Sequence, residues 1–296
     1  GGCHQVRECG ACTHGHFVCG SHGHGQNVCC GSFCRRKWID LSQIQEFPGT
    51  LGWFDRRKPG KNLGCGGWFG ARPVDLHLSA LEAMGASLEL KDGYIHASAP
   101  KGLKGIDYTF PMVSVGATEN IIMAATLAQG SSVLRNCARE PEIQDLCNCL
   151  IGMGAKIEGL GSKTITIQGV GKLFGHTHAV IIDRIELGTY MLAPAIAGGE
   201  LFLRGGRIEL IESFSEKLLE TGAEVIVLDD GIKVIASKAG IKPVNLSTQP
   251  YPGFPTDLQA QMMALLSLST GVSRLEENIF ENRFMHVAEL QRVTLK

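Results

Sequence analysis

At 296 residues, with 44% hydrophobic and 19% charged residues, the chain has the composition of a water-soluble globular protein long enough for two domains and a sizeable core. Its formal net charge of −1 excludes a general electrostatic attraction to nucleic acid or anionic membrane, so an anionic ligand has to be gripped locally. No apolar run approaches the roughly 20 residues of a membrane-spanning helix and the N-terminus lacks a signal-peptide core, which predicts a cytoplasmic protein with neither nucleic acid nor membrane as partner.

The composition is uneven. Eight of the eleven cysteines lie before residue 66, five of the ten histidines before residue 25, and all three tryptophans before residue 69. Residues 1–69 carry no sustained period of 2 or 3.6, and no packed core is expected there. Cys9-x-x-Cys12, His14, His16, His22, His24, Cys29, Cys30 and Cys34 supply donors that zinc prefers, but only one CxxC has ligand spacing and no metal is assigned. A disulfide-rich secreted module would need a signal peptide. The favoured reading is an aberrant, disordered segment arising from a reading-frame error in G/C-rich coding sequence.

From Gly70 the pattern becomes regular. Leu78, Leu81 and Met84 predict a helix closed by Gly85-Ala86, followed by alternating strands around Asp92-Gly93. The same order recurs at Ile143–Ile151 with Gly154-Ala155 and at Ile211–Leu219 with Gly222-Ala223, placing the three Gly-Ala stops 69 and 68 residues apart. A second helix in each unit opens at Ser114-Val115-Gly116, at Asp183-Arg184-Ile185-Glu186 and at Pro255-Thr256-Asp257. Each then runs to a glycine (Gly130, Gly199, Gly271) and an apolar strand. This is an internal repeat of two helices and about four strands per unit. Such a unit cannot cover its own faces, so sister units are expected around shared helices; Ile121–Leu127 and Met262–Leu268, apolar nearly all round, belong inside.

Taken singly, the polar motifs allow modest readings. Asp257, at a helix mouth behind a Pro-rich lead-in, reads first as an N-cap. Ser114-Val115-Gly116 fits either a phosphate-binding helix start or a cap with a glycine for close packing. Arg72 offers a guanidinium fork before a helix, Arg139-Glu140-Pro141-Glu142 marks a helix start, and Asn282-Arg283-Phe284-Met285-His286 reads as a satisfied polar network. Cys147 and Cys149 read as core, and His176 and His178 as loop residues without function.

Together these segments are more specific. The stretches Gly70–His77, Ser114–Thr118, Ala138–Ile143, Asp183–Glu186, Phe254–Gln261 and Glu281–His286 occur in the order and spacing of bacterial UDP-N-acetylglucosamine 1-carboxyvinyltransferases, the enolpyruvyl transferases of peptidoglycan precursor synthesis, and the chain resembles that family over about residues 70–290. The resemblance implies an α/β fold, the inside-out α/β barrel of repeated two-helix, roughly four-strand units, here incomplete at both ends. Residues 70–182 would be a partial first domain with two of three repeats and residues 183–296 a partial second. It implies transfer of enolpyruvyl from phosphoenolpyruvate to the 3-hydroxyl of UDP-N-acetylglucosamine, with no cofactor, no metal and no obligate protein partner. Asp257 would be the general base. Arg72 would hold phosphate, and Pro73, Val74, Asp75 and Leu76 would line the uridine and sugar site. Met112, Val113, Ser114 and Val115 would meet the diphosphate and Ile279 the sugar nucleotide.

Two positions depart from the family pattern. Gly67 stands where the family has its reactive cysteine, and Cys65 is two residues early. Met112 stands where the family has a lysine on the diphosphate. These departures predict a chain with little or no turnover. A non-catalytic UDP-sugar-binding remnant and an enolpyruvylshikimate phosphate synthase-like transferase are the alternatives.

Overall fold

The computed structural model describes residues 74–91, 94–281 and 283–294, with only the backbone of short strand segments between residues 16 and 71. The expectations for residues 1–69, including zinc binding and Cys65, lie outside the described residues, as do those for Arg72, Pro73, Asn282 and the Asp92-Gly93 turn; Gly67 is described in backbone only. In chain contacts the molecule divides into two units, Gly1–Ile181 and Ile182–Lys296.

In the first unit helix α1 (Asp75–Ala83) leads into the antiparallel hairpin β1 (Ser87–Lys91) and β2 (Tyr94–Ser98). Strand β3 (Asp107–Thr109), helix α2 (Val115–Thr126) and strand β4 (Ser131–Arg135) form a crossover in which β3 and β4 pair in parallel. Helix α3 (Pro141–Gly152) follows, then β5 (Lys156–Glu158) and β6 (Thr164–Gln168), giving a four-stranded sheet in the order β5-β6-β4-β3. Helix α2 is the centre of this unit. Its residues Ala117, Thr118 and Ile121 through Thr126 are all buried, as the absence of a polar stripe in this segment predicts.

The second unit repeats the plan. Helix α4 (Arg184–Ala197) precedes β7 (Glu200–Arg204), and helix α5 (Glu212–Glu220) precedes β8 (Glu224–Leu228) and β9 (Gly231–Ile235), in the sheet order β7-β9-β8. Strand pairing confirms the repeat. Ile165 faces Leu134 in the first sheet and Ile232 faces Leu203 in the second, so equivalent apolar positions oppose one another in both. A further parallel pair, β10 (Leu246–Ser247) and β11 (Leu275–Glu276), brackets the one-turn 3-10 helix Thr256–Leu258 and helix α6 (Gln259–Leu266) as β3 and β4 bracket α2. Helix α7 (Met285–Thr294) ends the described chain.

The Gly-Ala pairs stop their helices by one mechanism. Gly85, Gly154 and Gly222 have φ of +94°, +102° and +97°, the left-handed region where a side chain is costly. In the first two copies the following amide reaches back five residues, Ala86 N to Leu81 O at 3.0 Å and Ala155 N to Leu150 O at 2.9 Å, closing a Schellman motif. The alanine methyl then enters the core, at 8%, 7% and 5% exposure in the three copies, which explains why a small apolar residue follows each glycine.

Two cores result. One gathers Met84, Phe110, Ile121, Ile122, Leu134, Ile143, Leu150 and Ile165; the other gathers Met191, Phe214, Leu218, Val234, Leu258 and Met262. Cys137, Cys147 and Cys149 are buried, and burial, with Cys137 as a further contributor, pushes the Cys147 thiol up to about 12. Such a thiol stays protonated and packs as a small apolar side chain. Among the helical positions read as buried, three depart: Leu219, Ile151 and Leu268 are exposed. Leu219 and Ile151 sit at the margins of their helical stripes, and α6 ends at Leu266, so Leu268 falls beyond its buried face.

Candidate active site

In the first unit three of the motifs predicted from sequence converge on the start of α2. Ser114 is the N-cap: its Oγ accepts from Ala117 N at 3.3 Å, a contact of the kind that stabilises a helix by about 1 kcal/mol. Thr118 Oγ1 donates to Ser114 O at 2.7 Å and accepts from Ala138 N at 3.1 Å, which fixes the segment before α3 beside this helix start. From α1, His77 lies against Gly116, where an added Cβ would meet its ring at 3.4 Å, and its Nδ1 contacts Asn120 Nδ2. A side chain at Gly116 would thus make ordinary van der Waals contact with that ring, so close packing does not demand glycine here. Burial of His77 holds its pKa below the ordinary imidazole value, which keeps the ring neutral in this contact.

The remaining first-unit residues line the same neighbourhood unequally. Asp75 is exposed in the first turn of α1, where an acid suits the positive helix end, and Leu76 packs against the core. Val74 is the N-cap residue of α1 and makes no side-chain cap. Phe110 is 1% exposed, with its ring edge-on to Tyr108 at 5.2 Å and its carbonyl accepting from Asn136 Nδ2 at 2.9 Å, so it anchors the loop that follows. Val113 and Val115 pack inward, while Met112 projects outward at 58% exposure.

Beside this start lies a group that periodicity does not single out. Glu119, partly buried on α2, has its carboxyl pushed up to about 7, first by burial and then by Glu142 and Glu140 at the start of α3. A carboxyl that binds its proton more tightly when folded stabilises the fold at low pH. The advantage is lost as pH rises from about 4.5 toward about 7. Glu119→Gln is accordingly expected to flatten the dependence of the melting midpoint on pH across this window and to raise the midpoint at about pH 8, as thermal melts at stepped pH would record.

In the second unit Asp257 sits in the 3-10 turn Thr256–Leu258, and neither that turn nor α6 has a side-chain cap. The N-cap reading of Asp257 is therefore corrected. Its Oδ1 accepts from Arg283 Nη2, while Arg283 Nη1 donates to Thr256 Oγ1 at 3.0 Å. The Asp257 side chain remains 55% exposed, and its Oδ2 accepts no hydrogen bond among the described residues. Arg283 also lies over the Phe280 ring at 5.2 Å. A true cap is found instead at Asp183, whose Oδ1 accepts from Ile185 N at 2.8 Å and Glu186 N at 3.1 Å to open α4.

Ile279 is brought to this cluster by a residue that the sequence reading passed over. Glu277 Oε1 accepts from Ile279 N at 2.8 Å, and Oε2 accepts from Thr256 Oγ1 at 2.7 Å. A glutamate two residues before its amide partner carries no strong sequence signal, because the comparable local turns are usually made by Asp or Asn. Among the described residues no group of histidine, cysteine and acidic side chains is arranged to hold a metal ion, and no helix is long and apolar enough to cross a membrane.

The fold agrees with comparisons to known proteins. The sequence profile of EPSP synthase (3-phosphoshikimate 1-carboxyvinyltransferase) matches residues 63–296. The chain belongs to the EPSP synthase family. Curated relatives of this family member carry the name UDP-N-acetylglucosamine 1-carboxyvinyltransferase: one from Ruegeria pomeroyi is 61% identical over 230 residues, and one from Cereibacter sphaeroides 64% identical over 231. Both alignments cover 78% of this chain and 54% of the relative, so the chain spans about half the length of the curated relatives it matches. Among solved structures, the enolpyruvyl transferase NikO from Streptomyces tendae superposes with a TM-score of 0.67 at 22% identity, covering 74% of this chain and 55% of that one. An EPSP synthase from Acinetobacter baumannii gives 0.51 at 21% identity, covering 70% and 49%. At these identities the structures establish the fold, the mixed α/β enolpyruvyl transferase fold.

Proposed function

We propose that this EPSP synthase family member carries acceptor-binding machinery for UDP-N-acetylglucosamine, inherited from an enzyme that moves enolpyruvyl from phosphoenolpyruvate to the sugar 3-hydroxyl in cytoplasmic peptidoglycan precursor synthesis. The observation that carries this reading is the state of Asp257: it caps no helix, Arg283 holds one of its oxygens, and among the described residues the other accepts no hydrogen bond, leaving it for a ligand hydroxyl. The names of the relatives at 61% and 64% identity favour the UDP-sugar over a shikimate phosphate as acceptor.

In the proposed reaction the Asp257 carboxylate takes the proton of the 3-hydroxyl as that oxygen bonds to C2 of phosphoenolpyruvate, while a proton is delivered to C3. Loss of a C3 proton and cleavage of the C2–O bond to phosphorus then regenerate the double bond and release phosphate. The developing charges need cationic partners, a role assigned to Arg72 for the phosphate. The amides at Ser114–Val115 would face the diphosphate, with Val74–Leu76 and Pro73 around the uridine and Ile279 on the sugar. No metal or cofactor enters. Residues 70–182 and 183–296 are read as two partial domains of the repeat.

Turnover by this chain is proposed to be absent or nearly so. Gly67 offers no acid where the family has a cysteine, and Met112 offers no charge to the diphosphate. The purified chain, given UDP-N-acetylglucosamine and phosphoenolpyruvate, is expected to release phosphate no faster than background; sustained release would overturn this part of the proposal.

A further inference from the structure

Glu277 joins three stretches of the second unit that are distant in sequence. Its Oε1 accepts from Thr248 Oγ1 at 2.9 Å, from Ile279 N at 2.8 Å and from Phe280 N at 3.2 Å. Its Oε2 accepts from Thr256 Oγ1 at 2.7 Å, and that hydroxyl accepts in turn from Arg283 Nη1, whose Nη2 binds Asp257. Thr248 completes the frame by accepting from Asn278 N at 2.8 Å. One carboxylate therefore receives four donors. Two of them set the backbone of the Ile279 loop, and another sets the rotamer of the residue before Asp257.

We infer that Glu277 is a positioning residue for acceptor binding: its carboxylate fixes the Ile279 loop and the Thr256–Asp257 turn in one mutual arrangement. The inference rests on the proposed UDP-sugar reading. Both carboxylate oxygens act as acceptors, so the isosteric amide cannot replace them. In Glu277→Gln the new NH2 group would face either the Thr256 hydroxyl, already accepting a hydrogen bond from Arg283, or the Thr248 hydroxyl and the two loop amides that donate to Oε1. Aspartate keeps the charge but is one methylene short of spanning both sides. Loss of the charge-assisted contacts frees the loop relative to Asp257, and an acceptor that touches both then binds less tightly.

The test uses the full chain with UDP-N-acetylglucosamine as titrant and two readouts, calorimetric affinity and amide hydrogen exchange at Ile279 and Phe280. Glu277→Gln is expected to weaken binding about tenfold and to speed exchange at those two amides by a similar factor, with the other second-unit amides unchanged. Glu277→Asp should recover part of the Ile279 and Phe280 protection, and Asp257→Asn should weaken binding while leaving that protection intact. Wild-type affinity in Glu277→Gln overturns the inference, as does a loss of protection spread across the whole second unit, which would mark a purely structural role. Absence of any heat from the wild-type chain would sink the UDP-sugar reading instead, and is told apart by the missing wild-type signal.

Discussion

Met112→Lys is expected to tighten binding of UDP-N-acetylglucosamine by about 10- to 100-fold. Met112 is 58% exposed two residues before the capped helix start at Ser114, and the loop that carries it is anchored by buried Phe110. Substitution there removes little packing. A lysine at this position would add a charge-assisted contact to the diphosphate, worth about 1.5–3 kcal/mol, and each 1.4 kcal/mol is roughly a factor of ten. Calorimetry on the two proteins measures the difference. The gain should shrink with added salt and vanish for uridine, which lacks the phosphates. Equal affinities of the two proteins for the sugar nucleotide would show that residue 112 does not meet the diphosphate.

The second large effect is structural. Phe214 is fully buried on α5 and its ring lies 5.8 Å from that of Phe254, at an interplanar angle of 42°. Phe254 directly precedes the Pro255-Thr256-Asp257 segment, so this aromatic contact supports the backbone that presents Asp257. Truncation of a buried phenylalanine costs about 3–5 kcal/mol, through lost transfer energy and the cavity left behind. That is a large share of the roughly 5–15 kcal/mol that holds an ordinary domain. Phe214→Ala is therefore expected to lower the melting transition of the second unit by many degrees. Hydrogen exchange should report accelerated opening from Thr256 to Leu266, with the buried amides of α2 in the first unit unaffected.

How far the sequence alone reached depends on the range over which each feature acts. The Gly-Ala stops were legible because they obey a local rule: a glycine at positive φ, then a small residue turned inward. Burial of α2 was legible for the same reason, since its apolar positions leave no polar stripe. The exposed Leu219 and Ile151 were not, because periodicity identifies a stripe but not where neighbouring chain ceases to cover it.

The cluster around Asp257 shows the complementary limit. Asp257 could be placed at a helix mouth from its Pro-rich lead-in, but its carboxylate meets Arg283, which is 26 residues away, rather than a helix amide. Glu277 reaches Thr248 across 29 residues and Thr256 across 21, contacts that no local period encodes. The resemblance of the quoted motifs supplied candidate roles for Asp257 and Ile279. The folded arrangement supplied the residue that links them.

Recognition of a UDP-sugar by this chain is tested by titrating the purified chain with UDP-N-acetylglucosamine and, separately, with shikimate 3-phosphate. Saturable heat with the sugar nucleotide at one site per chain, and none with the shikimate phosphate, is the predicted result. No heat with UDP-N-acetylglucosamine, or saturation by shikimate 3-phosphate alone, would contradict it.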